Sequence, residues 1–298
     1  MSLTLTVGYA IIFYPIVDMM SEWWVTRRGF AYGFVTSSSG ATGVAFPFLL
    51  QALLDKYGYK TTLRALAVAS ALLTGPLLPL FRRRLPAAQS SLANRNNNWT
   101  FVKRPLFWAY ALSVLFQNLG FYLPALYLPS YASSLGRDPA TGALLIAIIS
   151  ITQVFGQFTY GWLSDGRISL NLLLISTTII SAIVSFTLWG LSKSVAPLIC
   201  FSLIYGFFAS AFGAMKVSMA TKVSTNALVP YCLFCLAQGI GNIFAGPIGG
   251  ELLLPFEDKN EYGISRYKAI ILCTGGSMVA SSLVTGAASL LRIEFNQP

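Results

Sequence analysis

The chain has 298 residues, of which 55% are hydrophobic and only 10% are charged. A soluble domain carries roughly 25% charged residues, so this composition excludes an ordinary water-soluble globule. The sequence holds no histidine, which removes Ser-His-Asp hydrolysis, histidine-ligated metals and haem, and histidine proton relays. The formal net charge is +10, but the basic residues sit in short stretches between apolar runs. Membrane topology explains that placement, and nucleic acid is not an expected partner.

Nine stretches are long and apolar enough to cross a bilayer: about 3–21, 30–52, 62–81, 106–129, 140–162, 169–190, 195–215, 228–250 and 268–291. The expected fold is therefore an all-α polytopic membrane protein. The first stretch has no basic leader and is followed by Asp18 and Glu22, a poor secretory signal, although a signal anchor stays open. The longest polar stretch, Phe81 to Pro105, carries Arg82, Arg83, Arg84, Arg95, Lys103 and Arg104 and no acid. It divides the chain into an expected partial three-helix bundle (1–81), a basic linker (82–105) and a six-helix bundle (106–298).

Charge orients the spans. With the linker in the cytoplasm and the chain alternating, the inside holds twelve of the 20 basic residues and four acids, whereas the outside holds eight bases and six acids. The positive-inside rule favours this arrangement. It puts the C-terminus in the cytoplasm, and the plasma membrane is the expected location. Cys200, Cys232, Cys235 and Cys273 all fall in apolar stretches. They read as small hydrophobic side chains rather than a redox or zinc motif.

Several local patterns occur in a fixed order. Segments one and two are joined by Trp24-Val25-Thr26-Arg27-Arg28-Gly29-Phe30-Ala31-Tyr32-Gly33, and a small-residue run covers Ser37 to Gly43. Leu53-Leu54-Asp55-Lys56-Tyr57-Gly58-Tyr59 precedes the third segment, and Gly161-Trp162-Leu163-Ser164-Asp165-Gly166-Arg167 follows the fifth. The eighth carries Gly239-Ile240-Gly241 and Gly246-Pro247-Ile248-Gly249-Gly250. Together these resemble the monocarboxylate-transporter branch of the major facilitator superfamily, especially its fungal members. The resemblance maps the nine segments onto family helices four to twelve and leaves helices one to three without a counterpart. It implies a helical bundle that moves a small organic solute by rocking two halves around a central site.

In the family fold, the helices matching segments one, two, four, five, seven and eight surround the cavity. Their amides and phenols are the candidate substrate groups: Gln117, Asn118 and Tyr122 in segment four, Gln153 and Gln157 in segment five, Gln238 and Asn242 in segment eight. The last two pairs are spaced i, i+4 and so share a helix face. Helix–helix hydrogen bonding is the alternative role for all of them.

Candidate gating or coupling groups are Asp18, Arg27, Arg28, Asp165 and Arg167. Asp18 is the acid that lies within an apolar segment, where proton coupling would need such a group. It also lies about one turn from the segment's end, where a charge can simply mark the interface. Asp165 can accept hydrogen bonds at a helix start and pair with Arg167 as a cytoplasmic latch. Lys216 is expected to snorkel from the end of segment seven. Gly246 and Gly250 form a G-x-x-x-G, a pattern that lets helix backbones approach closely.

Segment five carries no charge, unlike the matching helix of animal monocarboxylate transporters, which bears an Asp and an Arg. No glycine-rich phosphate loop of the G-x-x-x-x-G-K type occurs, so neither ATP-driven pumping nor a cofactor is expected. An enzyme is not expected either. The alternative to a transporter is a membrane protein of the same descent that does not transport and is inactive or regulatory.

Overall fold

The computed structural model describes residues 13, 15–17, 19–20, 23–24, 27–80, 99–166, 168–224, 227–253 and 265–295. Among them the regular elements are all helical. We label them α1 (Arg28–Thr74), α2 (Pro105–Phe121), α3 (Leu123–Ser134), α4 (Pro139–Ser164), α5 (Leu170–Val184), α6 (Val195–Ala214), α7 (Lys216–Val223), α8 (Leu228–Glu251) and α9 (Lys268–Phe295). Six helical stretches among the described residues are long and apolar enough to cross a membrane. They are Pro105–Ser134, Ala140–Ser164, Leu170–Trp189, Val195–Val223, Leu228–Glu251 and Lys268–Ser289, matching the fourth to ninth expected segments. Asp18, Arg167 and the middle of the basic linker lie outside the described residues.

Segments two and three both fall in α1, which is interrupted at Gly58 with φ 71° and ψ 170°. That left-handed φ is open to glycine at no steric expense and strained for other residues, so the Tyr57-Gly58-Tyr59 turn ends one helix and starts the next. Thr62 Oγ1 donates to the Gly58 carbonyl at 2.9 Å and seals the break.

Segment four is one span made of two helices, α2 and α3. Pro124 has no N–H to donate back to the carbonyl of Gly120, and in lipid a freed carbonyl needs another partner. Tyr205 on α6 supplies it: its hydroxyl lies 3.3 Å from the carbonyl oxygens of both Gly120 and Phe121. Arg104, just before α2, donates from Nη1 to the Val223 carbonyl at 3.0 Å, placing a cation on the C-terminus of α7.

The buried apolar residues form two clusters at opposite ends of the bundle. One gathers Val17, Tyr32, Phe107, Tyr110, Phe212, Met215, Met219, Tyr231 and Phe234. The other gathers Leu123, Leu128, Tyr131, Trp189, Phe201, Tyr205, Ile270 and Met278. Side-chain hydroxyls and amides also join the helices. Ser113 Oγ meets Ser281 Oγ at 2.8 Å and Thr285 Oγ1 at 2.7 Å, tying α2 to α9. Tyr110 on α2 donates to Asn171 Oδ1 on α5 at 2.6 Å.

Two packing details differ from the sequence expectation. Gly246 and Gly250 face open space among the described residues. The packed stripe of α8 is instead Gly241, Ala245 and Gly249, all buried, with Gly241 against α2 and Gly249 against the Tyr127 ring of α3. The choice between two overlapping small-residue stripes is made by the neighbouring helix. Lys216 does not snorkel. The span runs on through α7 to Val223, so position 216 lies more than a turn inside it, and its side chain is only 8% exposed.

Candidate functional site

Two groups of polar residues stand out: a seam where α1 meets α4, and a cluster where α2, α6, α7 and α8 meet. The seam is built from small residues. Gly29, Gly33, Gly40 and Gly43 lie along one side of α1 and face Gly161, Gln157, Val154 and Ser150 of α4. A Cβ at Gly33 would lie 2.6 Å from the Gln157 carbonyl oxygen, and one at Gly40 would lie 2.7 Å from that of Ser150. Backbone contacts this close admit only hydrogen at the α-carbon. The small-residue run singled out in the sequence is therefore a helix–helix seam, and its partner is the fifth segment.

Polar bonds lock this seam. Asp165 follows the last turn of α4, and its carboxylate accepts from the Gly29 N–H at 2.8 Å and the Phe30 N–H at 2.7 Å. These are free donors of the first turn of α1, where the helix dipole also favours a negative charge. The aspartate thus caps a helix more than a hundred residues away rather than the helix that follows it. Phe30 and Phe158 close the contact with an edge-to-face ring pair at 5.1 Å. Farther along, Gln153 Nε2 donates to Ser39 Oγ at 3.0 Å. Arg27 is exposed beside this cap, and Arg28 donates from Nε to the Trp24 carbonyl at 3.2 Å.

In the second cluster, Gln117 is buried and donates from Nε2 to the Ala209 carbonyl of α6 at 3.0 Å. Asn118 donates to the Val114 carbonyl of its own helix at 2.8 Å, and its Cβ lies beside Gly241 of α8. Gln238 Oε1 accepts a hydrogen bond from the Lys216 ammonium. Two enclosed oxygens, Gln157 Oε1 and Asn242 Oδ1, have no hydrogen-bond partner among the described residues. Tyr122 is 40% exposed and its ring packs on Phe121. The structure therefore sets Asn118 where α2 meets α8, Gln117 against α6 and Gln238 against α7. It sets Gln153 and Gln157 on the α1 seam and leaves Tyr122 apart. Lys216 is the addition that sequence reasoning missed. Its one signal is an uncompensated cation inside an otherwise apolar run.

The described residues thus form a helical, multi-pass bundle in which α1 and α4 meet along a glycine seam and polar groups are enclosed between helices. The Major Facilitator Superfamily model matches residues 3–246, and the chain belongs to that superfamily as an integral multi-pass membrane protein.

Among its relatives is MFS transporter asaE of Aspergillus flavus, 23% identical over 295 residues, which cover 97% of this chain and 65% of that protein. The agnestins efflux protein AgnL12 of Paecilomyces divaricatus is 24% identical over 92% of this chain and 62% of its own length. Monocarboxylate transporter 13 of Bos taurus is 26% identical over 82% of this chain and 58% of its own. The chain thus spans about three fifths of the curated relatives it matches, which are fungal transporters and an animal monocarboxylate transporter.

Proposed function

We propose that the chain carries a small organic solute, a monocarboxylate or a fungal metabolite, across the plasma membrane by alternating access, as a non-enzymatic secondary carrier. Residues 1–81 form part of one rocking half, 106–298 form the other, and 82–105 is their cytoplasmic linker. The observation that carries this reading is the Asp165 carboxylate on the Gly29 and Phe30 N–H groups. This bond joins the two halves at one end only, and it exists only while that end is shut. With the linker inside, the shut end is cytoplasmic and the solute site opens outward. Gln153 on Ser39 and the Phe30–Phe158 ring pair belong to the same closed gate. The amides of α2 and α8 line the solute path. A proton is the first coupling ion to test.

The experiment is a reversible lock. Phe30→Cys with Phe158→Cys, in a background with the four native cysteines changed to serine, places two thiols across the gate. The chain is reconstituted in liposomes, and uptake of radiolabelled pyruvate and radiolabelled benzoate is followed. A disulfide across the pair should stop uptake, and reduction should restore it. Unchanged uptake with the disulfide formed would sink the alternating-access reading. No uptake above protein-free liposomes for either acid would sink the monocarboxylate assignment.

A further inference from the structure

Lys216 opens α7, and its ammonium is buried with 8% of the side chain exposed. An ammonium removed from water keeps an effective penalty of several kcal/mol unless it is paired. A lysine at the centre of a membrane helix is disfavoured by about 2.5–3.5 kcal/mol on insertion scales. The hydrogen bond that the described residues give it comes from a neutral group, Gln238 Oε1, and no carboxylate among them pairs with it. Among the described residues the positive charge meets one neutral acceptor and no carboxylate.

The surroundings fit a guest with negative charge. Gln238 turns its carbonyl to the lysine, so its amide N–H groups remain as two further donors on the same flank. Cys235 lies on α8 one turn before Gln238. Finally, α7 packs against α1 from one half and against α2 and α8 from the other. The helix that begins with Lys216 therefore lies where α1 approaches α2 and α8, and solute sites of such carriers lie between repeats.

We infer that Lys216 and Gln238 form an oxyanion site, in which the ammonium and the amide N–H groups hold the carboxylate or other compact oxyanion of the transported solute. The inference rests on the carrier reading above and adds to it the residue that selects charge. It also explains how segment five can lack charge: the cation is supplied from α7 instead.

The test uses the full chain, with Cys200, Cys232 and Cys273 changed to serine so that Cys235 is the reporter thiol. The anionic reagent methanethiosulfonate ethylsulfonate and its cationic counterpart methanethiosulfonate ethyltrimethylammonium are compared for their rate of reaction with Cys235. A cation focusing anions at this site should favour the anionic reagent by at least about tenfold. Lys216→Gln should abolish the preference, whereas Lys216→Arg, which keeps the charge, should retain it. Sodium benzoate should slow the anionic reagent in the parent and not in Lys216→Gln, and neutral benzamide should slow it in neither. Equal protection by sodium phosphate would assign the site to free inorganic oxyanions as well as to solute carboxylates.

Equal rates for the two reagents, no reaction of either, or a preference that survives Lys216→Gln would overturn the inference. The binding readout is independent of flux. If the anion preference holds and neither acid is taken up, the monocarboxylate assignment fails and the site stands.

Discussion

At the scale of single residues, the side chains that organise this molecule do so through partners that are remote in sequence. Asp165 satisfies two free N–H groups of α1, a bond type whose removal costs about 1–2 kcal/mol at a helix start. Asp165→Ala should shift the molecule toward the state open at that end. The residue to watch is Ser218, whose hydroxyl lies 3.1 Å from that of Ser164 behind the gate. With Ser218→Cys as the sole thiol, maleimide labelling should run about 5–30-fold faster in the Asp165→Ala background, the ratio that 1–2 kcal/mol implies. An unchanged rate would mean that the aspartate decorates the gate without holding it. The sequence marks Asp165 as a capping acid, because an Asp before a helix has few other uses in an apolar chain. It does not disclose which helix is capped, since that depends on how α1 lies across α4. Lys216 illustrates the same limit from the other side: its position near an expected span end suggests a snorkelling lysine, and only the continuation into α7 buries it.

At the scale of elements, glycine spacing decides which helices touch, and neighbours decide which glycines count. Gly40 packs against the Ser150 carbonyl with no room for a Cβ, whereas Gly246 meets nothing among the described residues. Gly40→Ala should therefore destabilise the chain by about 1–3 kcal/mol through overpacking. Gly246→Ala should be neutral or stabilise by up to about 1 kcal/mol, because alanine suits a helix better. Thermal unfolding of the two variants in detergent measures the contrast, and equal effects would contradict the assigned seam. The turn at Gly58 is legible from sequence because an aromatic-flanked glycine after a long apolar run has a local meaning. The division of segment four at Tyr122 is foreshadowed by Pro124, but the hydroxyl that repairs it, from Tyr205 on another helix, is not.

At the scale of the whole molecule, α1 and α4 are held together at one end by polar bonds and along the seam by backbone contact. The apolar surface of the spans, including Phe155, Trp162, Leu172, Ile183, Ile243 and Leu283, is exposed as a lipid-facing surface requires. The excess of basic residues on the linker side predicts the orientation. An epitope tag appended after Pro298 should bind antibody only in permeabilised cells. Staining of intact cells would reverse the topology, and with it the assignment of the Asp165 gate to the cytoplasm. This prediction belongs to the chain as a whole because no single basic residue decides it.

The helical class, the fourth to ninth spans and the superfamily resemblance were readable in the residues themselves. Each depends on local composition or on period: apolar runs of bilayer length, charges confined between them, and glycines at recurrent spacing. What the tertiary structure alone decided is pairing. Asp165 meets α1, Tyr205 meets the carbonyls freed by Pro124, Gly249 rather than Gly250 meets its neighbour, and Lys216 faces Gln238 in place of water. A helix periodicity states which residues share a face. The face that meets another helix, and the residue opposite, follow from rotation and register of whole helices, which many weak contacts set together and no short stretch of sequence encodes.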